Sequence, residues 1–390
     1  MTEQKLDLRA GDMVEVRSAE EILGTLDERG QVDGMPFMPE MLKYSGLRFP
    51  VFKRADKTCA PGGGRWHMLR LTGTVHLPGV RCTGEAHGGC EAGCLLFWKE
   101  AWLKKASPNP VEGVVRETDA PGDLSTIVHA TRVAGGPGEE ETFSCQATEV
   151  RKNSPELSPW DLRQYARDVR SGNVSVGTVL RFVIVAIING IQRLRDGAPY
   201  PYIQGKLKRS PRELLDLEAG ELVEVKSKAE ILATLHVHEN NRGLSFDREM
   251  VRFCGRRFRV LRRVKQLVDE VTGKMVQTKG DCIILDGVTC ESDYHFLCPR
   301  GIYPYWREIW LRRPGDTRRG PELPLPRLDR FLDRVFSWMD RLQTPRQTPC
   351  EFRLDGGGSR PCSRAGDAGR PEPIGVSCSP RSPRSAVGRG

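Results

Sequence analysis

Much of what would identify an enzyme is missing from this chain. It carries no phosphate-binding loop, no recognisable catalytic triad and no cofactor fingerprint. Hydrophobic residues make up 38% of its 390 positions, which is low for a wholly globular chain, so some segments are expected to lie outside any core. The amino terminus, Met1-Thr-Glu-Gln-Lys-Leu, has no apolar core of the kind a signal peptide needs. That points to the cytoplasm, where thiols stay reduced and clustered cysteines bind metal more often than they form disulfides. No apolar run reaches the roughly 20 residues that span a bilayer. Acidic charge is outweighed: the net charge is +9, which favours contact with phosphate, acidic lipid or acidic protein.

What is present is a repeat. Leu8-Arg-Ala-Gly-Asp-Met-Val-Glu-Val-Arg-Ser18 lies over Leu217-Glu-Ala-Gly-Glu-Leu-Val-Glu-Val-Lys-Ser227, an offset of 209. The register continues through Phe37/Phe246, Met41/Met250, Gly46/Gly255 and Phe49/Phe258. One residue is then lost, and an offset of 208 pairs Cys82/Cys290, His87/His295, Cys90/Cys298, Trp98/Trp306, Glu100/Glu308 and Trp102/Trp310. Two copies are too few for a solenoid, and a pair of similar modules fits better.

Within each copy, Gly-Asp-Met-Val-Glu-Val alternates apolar and polar residues after a turn, which predicts a strand. Ser18-x-x-Glu21 and Ser227-x-x-Glu230 have the form of a capping box and predict short helices. Arg48–Lys53 and Arg257–Arg262 alternate again, Val271-Thr-Gly-Lys274 predicts a hairpin turn, and Cys282–Leu285 a further strand. The tryptophans, four residues apart, predict a helix with both rings on its core face. Lys99, Lys104, Lys105, Arg307, Arg312 and Arg313 would line its outer face.

The Gly-Asp-x-Val-x-Val strand, followed by Met-x4-Gly-x2-Phe-x-Val, resembles the Src-homology-3-like small barrels, including the mind-bomb and KOW-type groups. The resemblance covers about half of each copy. It implies modules that bind peptide or nucleic acid without catalysis, although fold does not fix function. The full repeat is also similar to a family of bacterial proteins to which no activity is attached. The fold class expected is therefore α+β: two duplicated small β-barrel-like modules, each closed by a Trp-bearing helix, with a helical middle segment and a disordered C-terminal tail.

The expected divisions are a first module over 1–105, a loop-rich linker over 106–158, a helical connector over 159–210 and a second module over 211–314. A Pro-rich segment with an amphipathic helix follows over 315–343. The Pro-, Gly-, Arg- and Ser-rich remainder, 344–390, is expected to be disordered and contains Cys350, Cys362 and Cys378. The most apolar stretch, Val176 to Leu194, predicts a helix. It fits burial between the copies. It also fits an interfacial membrane helix flanked by Arg167, Arg170, Arg193 and Arg195.

Chemistry is visible in the Cys/His turns. The first copy offers Cys82, His87, Cys90 and Cys94, with Cys59 upstream; the second offers Cys290, His295 and Cys298, with Cys254 nearby. Thiolate and imidazole are the ligands of structural zinc. Four thiolates could instead hold an iron–sulfur cluster, on Cys59, Cys82, Cys90 and Cys94. Buried cysteines around a core histidine remain the plain alternative. The copies differ where a fourth ligand would come from: Ser45/Cys254, Cys59/Val268 and Cys94/Ile302. The function expected is a non-catalytic scaffold or binding protein with metal-stabilised modules and a basic surface. A metalloenzyme with one open metal position is the alternative. Candidate partners are nucleic acid, an anionic membrane surface such as the inner membrane, or an acidic protein. No small-molecule substrate is implied.

Overall fold

The computed structural model describes residues 6–62, 65–107, 127, 131–133, 141–278 and 282–342. The expected disordered tail lies outside these residues. The architecture is mixed helix and strand, and the two copies follow the same course.

In the first copy, β1 (Met13–Val16) leads into α1 (Ala19–Leu23). Ser18 caps α1, and the Glu21 side chain returns a bond to the Ser18 backbone, completing the capping box. A 3-10 turn, Pro39–Tyr44, precedes β2 (Arg48–Pro50) and β3 (Lys53–Arg54). The hairpin β4 (Lys57–Gly62) and β5 (Arg65–Arg70) follows, then β6 (Thr74–Arg81), β7 (Leu95–Lys99), the 3-10 turn Glu100–Trp102 and β8 (Leu103–Lys105). These strands form two three-stranded sheets, β8-β1-β2 and β3-β6-β7, and the two-stranded β4-β5 ribbon.

Next come α2 (Gln146–Asn153), α3 (Arg163–Arg170) and α4 (Val176–Leu194). The second copy opens with β9 (Leu222–Val225) and α5 (Lys228–Leu232), which repeats the capping box with Ser227 and Glu230. Then follow β10 (Arg257–Arg263), the hairpin β11 (Gln266–Val268) and β12 (Met275–Gln277), β13 (Cys282–Leu285), β14 (Trp306–Arg307) and β15 (Leu311–Arg312). Here one five-stranded sheet runs β14-β13-β10-β9-β15. The closing helix α6 spans Arg327–Leu342. Val14 pairs with Phe49 as Val223 pairs with Phe258, and Val16 with Leu103 as Val225 with Leu311.

Two expectations are corrected. Neither copy closes into a barrel: among the described residues the end strands of each sheet do not pair with one another. In the first copy the run splits between β2 and β3, where the second has one strand with a bulge between Val260 and Arg262. Nor is the Trp-x3-Trp segment a helix. Trp98 lies in a strand, Leu95–Lys99, whose five residues are all buried, and Trp102 lies in the single 3-10 turn after it; Trp306 opens the two-residue strand Trp306–Arg307, and Trp310 lies in the 3-10 turn that follows. A strand followed by one tight turn can place two rings inward four residues apart, so spacing alone did not distinguish it from a helix.

All four tryptophans are fully buried. The Phe37 ring meets Trp102 edge-on at 5.1 Å, and Phe246 meets Trp310 likewise at 5.4 Å. Edge-to-face pairs of this kind add about 1 kcal/mol to area burial. Each copy thus has its own core, and Val150 of α2 joins the first. The flanking cations are only partly the solvated face expected. Lys99 is buried and reaches Asp33 at 2.6 Å, and Arg312 is buried against Glu230 at 2.5 Å. Arg307 is buried too, donating to the carbonyls of Asn241 and Arg242.

The copies dock by exchange. The Cys90 sulfur accepts from Val268 N at 3.3 Å, and the Cys298 sulfur from Cys59 N at 3.1 Å. The repeat register places Cys59 on Val268 and Cys90 on Cys298, so the two contacts are related by exchange of the copies. A second pair matches them: Lys57 Nζ donates to Phe296 O at 2.7 Å, and Gln266 Nε2 to Gly88 O at 2.9 Å. Each Cys/His turn therefore lies on the hairpin of the other copy. The segment between the copies completes both contacts, Leu157 beside Cys59 and Cys298, Phe143 beside Cys90 and Val268.

The apolar helix α4 is not buried between the copies. Its inner side, with Val185, packs on Tyr200 and on Leu332 and Phe336 of α6, while its outer side faces solvent. The sequence puts apolar residues all round it, but only one side finds a partner.

Candidate metal centre

Each Cys/His turn is closed by the same backbone bonds. Cys82 N donates to Cys94 O and Cys290 N to Ile302 O, both at 2.8 Å. Between these anchors the chain needs left-handed backbone. Gly84 (φ 78°), Gly88 (71°) and Gly89 (73°) supply it in the first copy, where a Cβ on Gly84 would come within 1.9 Å of Cys90 O. The second copy forces Ser292, Phe296 and Leu297 into that region instead.

In the first copy the turn delivers its side chains to Glu40, from the 3-10 turn before β2. The Cys82 thiol lies 3.2 Å from Glu40 Oε1 and 3.5 Å from His87 Nε2. These three donors lie within 4.8 Å of one another, and among the described residues no other group of three does. Glu40 Oε2 and His87 Nδ1 are buried without hydrogen-bond partners. Burial lowers the His87 imidazole's affinity for a proton and keeps the ring neutral, as a ligand must be. Burial, and then the Glu40 charge, raise the Cys82 thiol well above its usual range, so a metal would have to displace its proton. One oxygen, one sulfur and one nitrogen donor suit zinc.

The second copy has the same three residues, Glu249, Cys290 and His295, in a different arrangement. Asp247 stands where the first copy has Met38, and its carboxylate meets His295 Nε2 at 3.1 Å. Burial opposes the charge on His295, but the bond and charge of Asp247 outweigh it and raise the imidazole's pKa. Burial, then the charge of Asp293, push Glu249 up to about 7. The Cys290 sulfur meets Ser292 Oγ at 3.3 Å. An internal ion pair thus occupies the imidazole nitrogen that faces the centre in the first copy.

The remaining expected ligands are dispersed. Cys59 does not approach Cys82; it lies against Cys298 in an apolar cluster with Met68 and Leu157. Cys254, at the end of the 3-10 turn Arg248–Phe253, packs on the core of the second copy. Cys90 and Cys94 fall outside the Glu40–Cys82–His87 group. They line a cavity of about 220 Å³ beside it, together with Cys82, His87 and Cys145 from the N-cap of α2. Its far wall comes from the second copy, through Val268, Glu270, Arg300, Tyr303 and Tyr305.

Two participants escaped the sequence reading. Glu40 was legible, since the repeat register puts it on Glu249, but a search for Cys and His passes over carboxylates. Cys145 lies outside both copies, and no spacing rule ties it to the turn. Comparison with known proteins found no matching family model, no matching curated protein and no matching solved structure.

Proposed function

We propose that this chain is a non-catalytic, metal-holding scaffold whose two Src-homology-3-like modules lock onto one another and rest on an anionic membrane surface. The carrying observation is the Glu40–Cys82–His87 group, with its unpartnered buried atoms, set in a turn that the other copy clamps. Taken alone, its donors suit one zinc ion. The strand order β15-β9-β10-β13-β14, with a 3-10 turn before the last strand, supports the small-barrel resemblance even though the sheet stays open.

The membrane partner is favoured by α4. It is the one described helix long and apolar enough to cross a membrane by length and composition. Its outer stripe carries Val176, Leu180, Val183, Ile187, Ile191 and Leu194, all exposed. From Arg163 to Arg195 the sole acid is Asp168, which is buried against Lys57, so the face is basic as well as apolar. A cytoplasmic protein lying on the inner membrane accords with this.

Elemental analysis of the purified chain tests the metal. Bound metal is expected, lost in Cys82→Ser but kept in Cys290→Ser. Metal-free wild-type protein, or metal that survives Cys82→Ser, would overturn the proposal.

A further inference from the structure

The cavity beside the Glu40–Cys82–His87 group has a composition that a single ion does not explain. Four thiols line it: Cys82, Cys90, Cys94 and Cys145. Three come from the Cys/His turn, Cys82, Cys90 and Cys94, and Cys145 comes from the start of α2. They do not converge on one point, since only Cys82 belongs to a group of donors within 4.8 Å. A mononuclear zinc site needs four donors about 2.3 Å from one centre, and among the described residues no three of these thiols lie within 4.8 Å of one another.

We infer that the cavity is the seat of a cubane [4Fe–4S] cluster ligated by Cys82, Cys90, Cys94 and Cys145. A cubane offers four irons at the corners of a tetrahedron and holds its thiolates farther apart than one ion does. The surroundings match such a cofactor. The walls are largely apolar, with Leu95, Phe97, Leu267, Ile302 and Tyr303 excluding water. Val268 N already donates to the Cys90 sulfur, the type of bond that tunes cluster thiolates. A cluster bearing four thiolates is anionic, and two guanidiniums lie close by, one of them already paired with Glu270, which lines the cavity too. Arg300 lines the cavity and is buried beside Glu270, and Arg81 stacks on Tyr303 at 3.9 Å while donating to Gly93 O. Loading is ligand exchange. As each protein thiol forms its Fe–S bond, the bond from that iron to a small thiolate breaks, and the small thiolate leaves as the free thiol with the proton; for Cys82, Glu40 Oε1 at 3.2 Å can relay that proton.

The asymmetry of the repeat then has a chemical meaning. Ile302 replaces Cys94 and the second copy has no counterpart of Cys145, so one cluster per chain is expected. The second copy closes the cavity instead of duplicating it. The inference rests on the metal-holding proposal and changes the cofactor from one ion to a cluster.

The test uses the full chain, purified without oxygen from iron-replete cells. It is also mixed with a synthetic [4Fe–4S] cluster carrying small-thiolate ligands, which the protein thiols would displace. The expected result is a brown protein with about four iron and about four acid-labile sulfide per chain. At least a tenfold loss of both is expected in Cys94→Ser and in Cys145→Ser, and none in Cys254→Ser, a half-buried thiol that does not line the cavity. Thermal melts check that the serine variants remain folded. About one zinc without sulfide would overturn the cluster and leave the metal-holding scaffold standing. No metal in either preparation would overturn both. Iron and sulfide retained in the Cys94→Ser, Cys145→Ser double variant would place the cluster elsewhere and overturn this assignment.

Discussion

His76 illustrates what burial does to a single residue here. Its ring is fully buried, Nδ1 meets Leu96 O at 2.9 Å, and Nε2 has no hydrogen-bond partner. A second proton would have to go on Nε2, away from water, and burial brings the imidazole down to about 3. Above pH 6.5 the ring is neutral in the folded and unfolded chains alike. Between about 6.5 and about 3 the unfolded chain binds a proton that the folded chain refuses, so stability falls as pH falls through that window, by up to about 1.4 kcal/mol per pH unit. His76→Gln keeps a donor for Leu96 O and cannot titrate there. Urea unfolding between pH 7 and pH 4 should give a shallower loss in this variant than in the wild type. Equal slopes would mean that His76 is not the group responsible. The same cost of buried charge sets the two Cys/His turns apart: His87 is kept neutral, whereas His295 is raised by Asp247.

At the level of elements, the recurring device is a buried carboxylate in the 3-10 turn between the tryptophans. Glu100 accepts from Leu6 N and Leu8 N and pairs with Arg54 at 2.9 Å. Glu308 accepts from Leu215 N and Asp216 N and pairs with Arg263 at 2.6 Å. The turn therefore fastens the segment that enters each copy's first strand. Glu308→Gln removes the shorter of two carboxylate contacts of Arg263, leaving Asp216 at 3.6 Å, and weakens two backbone bonds, at a cost on the order of 2 kcal/mol. Denaturant unfolding should register the loss, and a change below about 0.5 kcal/mol would show that the clamp is incidental. Much of this level was legible in the sequence. The first strands and capping boxes follow from alternation and from Ser-x-x-Glu, because both signals are local. The Trp segment was misread because i, i+4 spacing is shared by a helix face and by a strand that ends in a tight turn. Cys145 was illegible because only tertiary packing brings α2 to the Cys/His turn.

The whole molecule combines a locked interior with an unpartnered exterior. Exchange of the turns ties the copies through matched bonds, Cys90 to Val268 and Cys298 to Cys59, so neither turn is complete without the opposite hairpin. That mutual dependence has no counterpart in any local pattern, which is why the sequence revealed two modules but not their docking. Outside this interior, α4 extends about 28 Å at 1.5 Å per residue. Leu180 and Ile187 stand in the middle of its exposed stripe, with 56% and 57% of their surfaces free. Trp160 and Leu162, before α3, are exposed as well. The apolar stripe would enter the boundary between headgroups and acyl chains, while arginines such as Arg193 and Arg195 would meet anionic headgroups. The chain is therefore expected to sediment with phosphatidylglycerol-rich vesicles at low salt and much less with zwitterionic ones. Leu180→Asp together with Ile187→Asp should reduce vesicle binding at least tenfold without lowering the melting temperature, because both side chains already face solvent. If the variant binds vesicles as well as the wild type does, the stripe is not the docking face. If the wild type is retained by heparin and ignores vesicles, the partner is another polyanion. If the wild type dimerises through α4 and the variant is monomeric, a second copy covers the stripe.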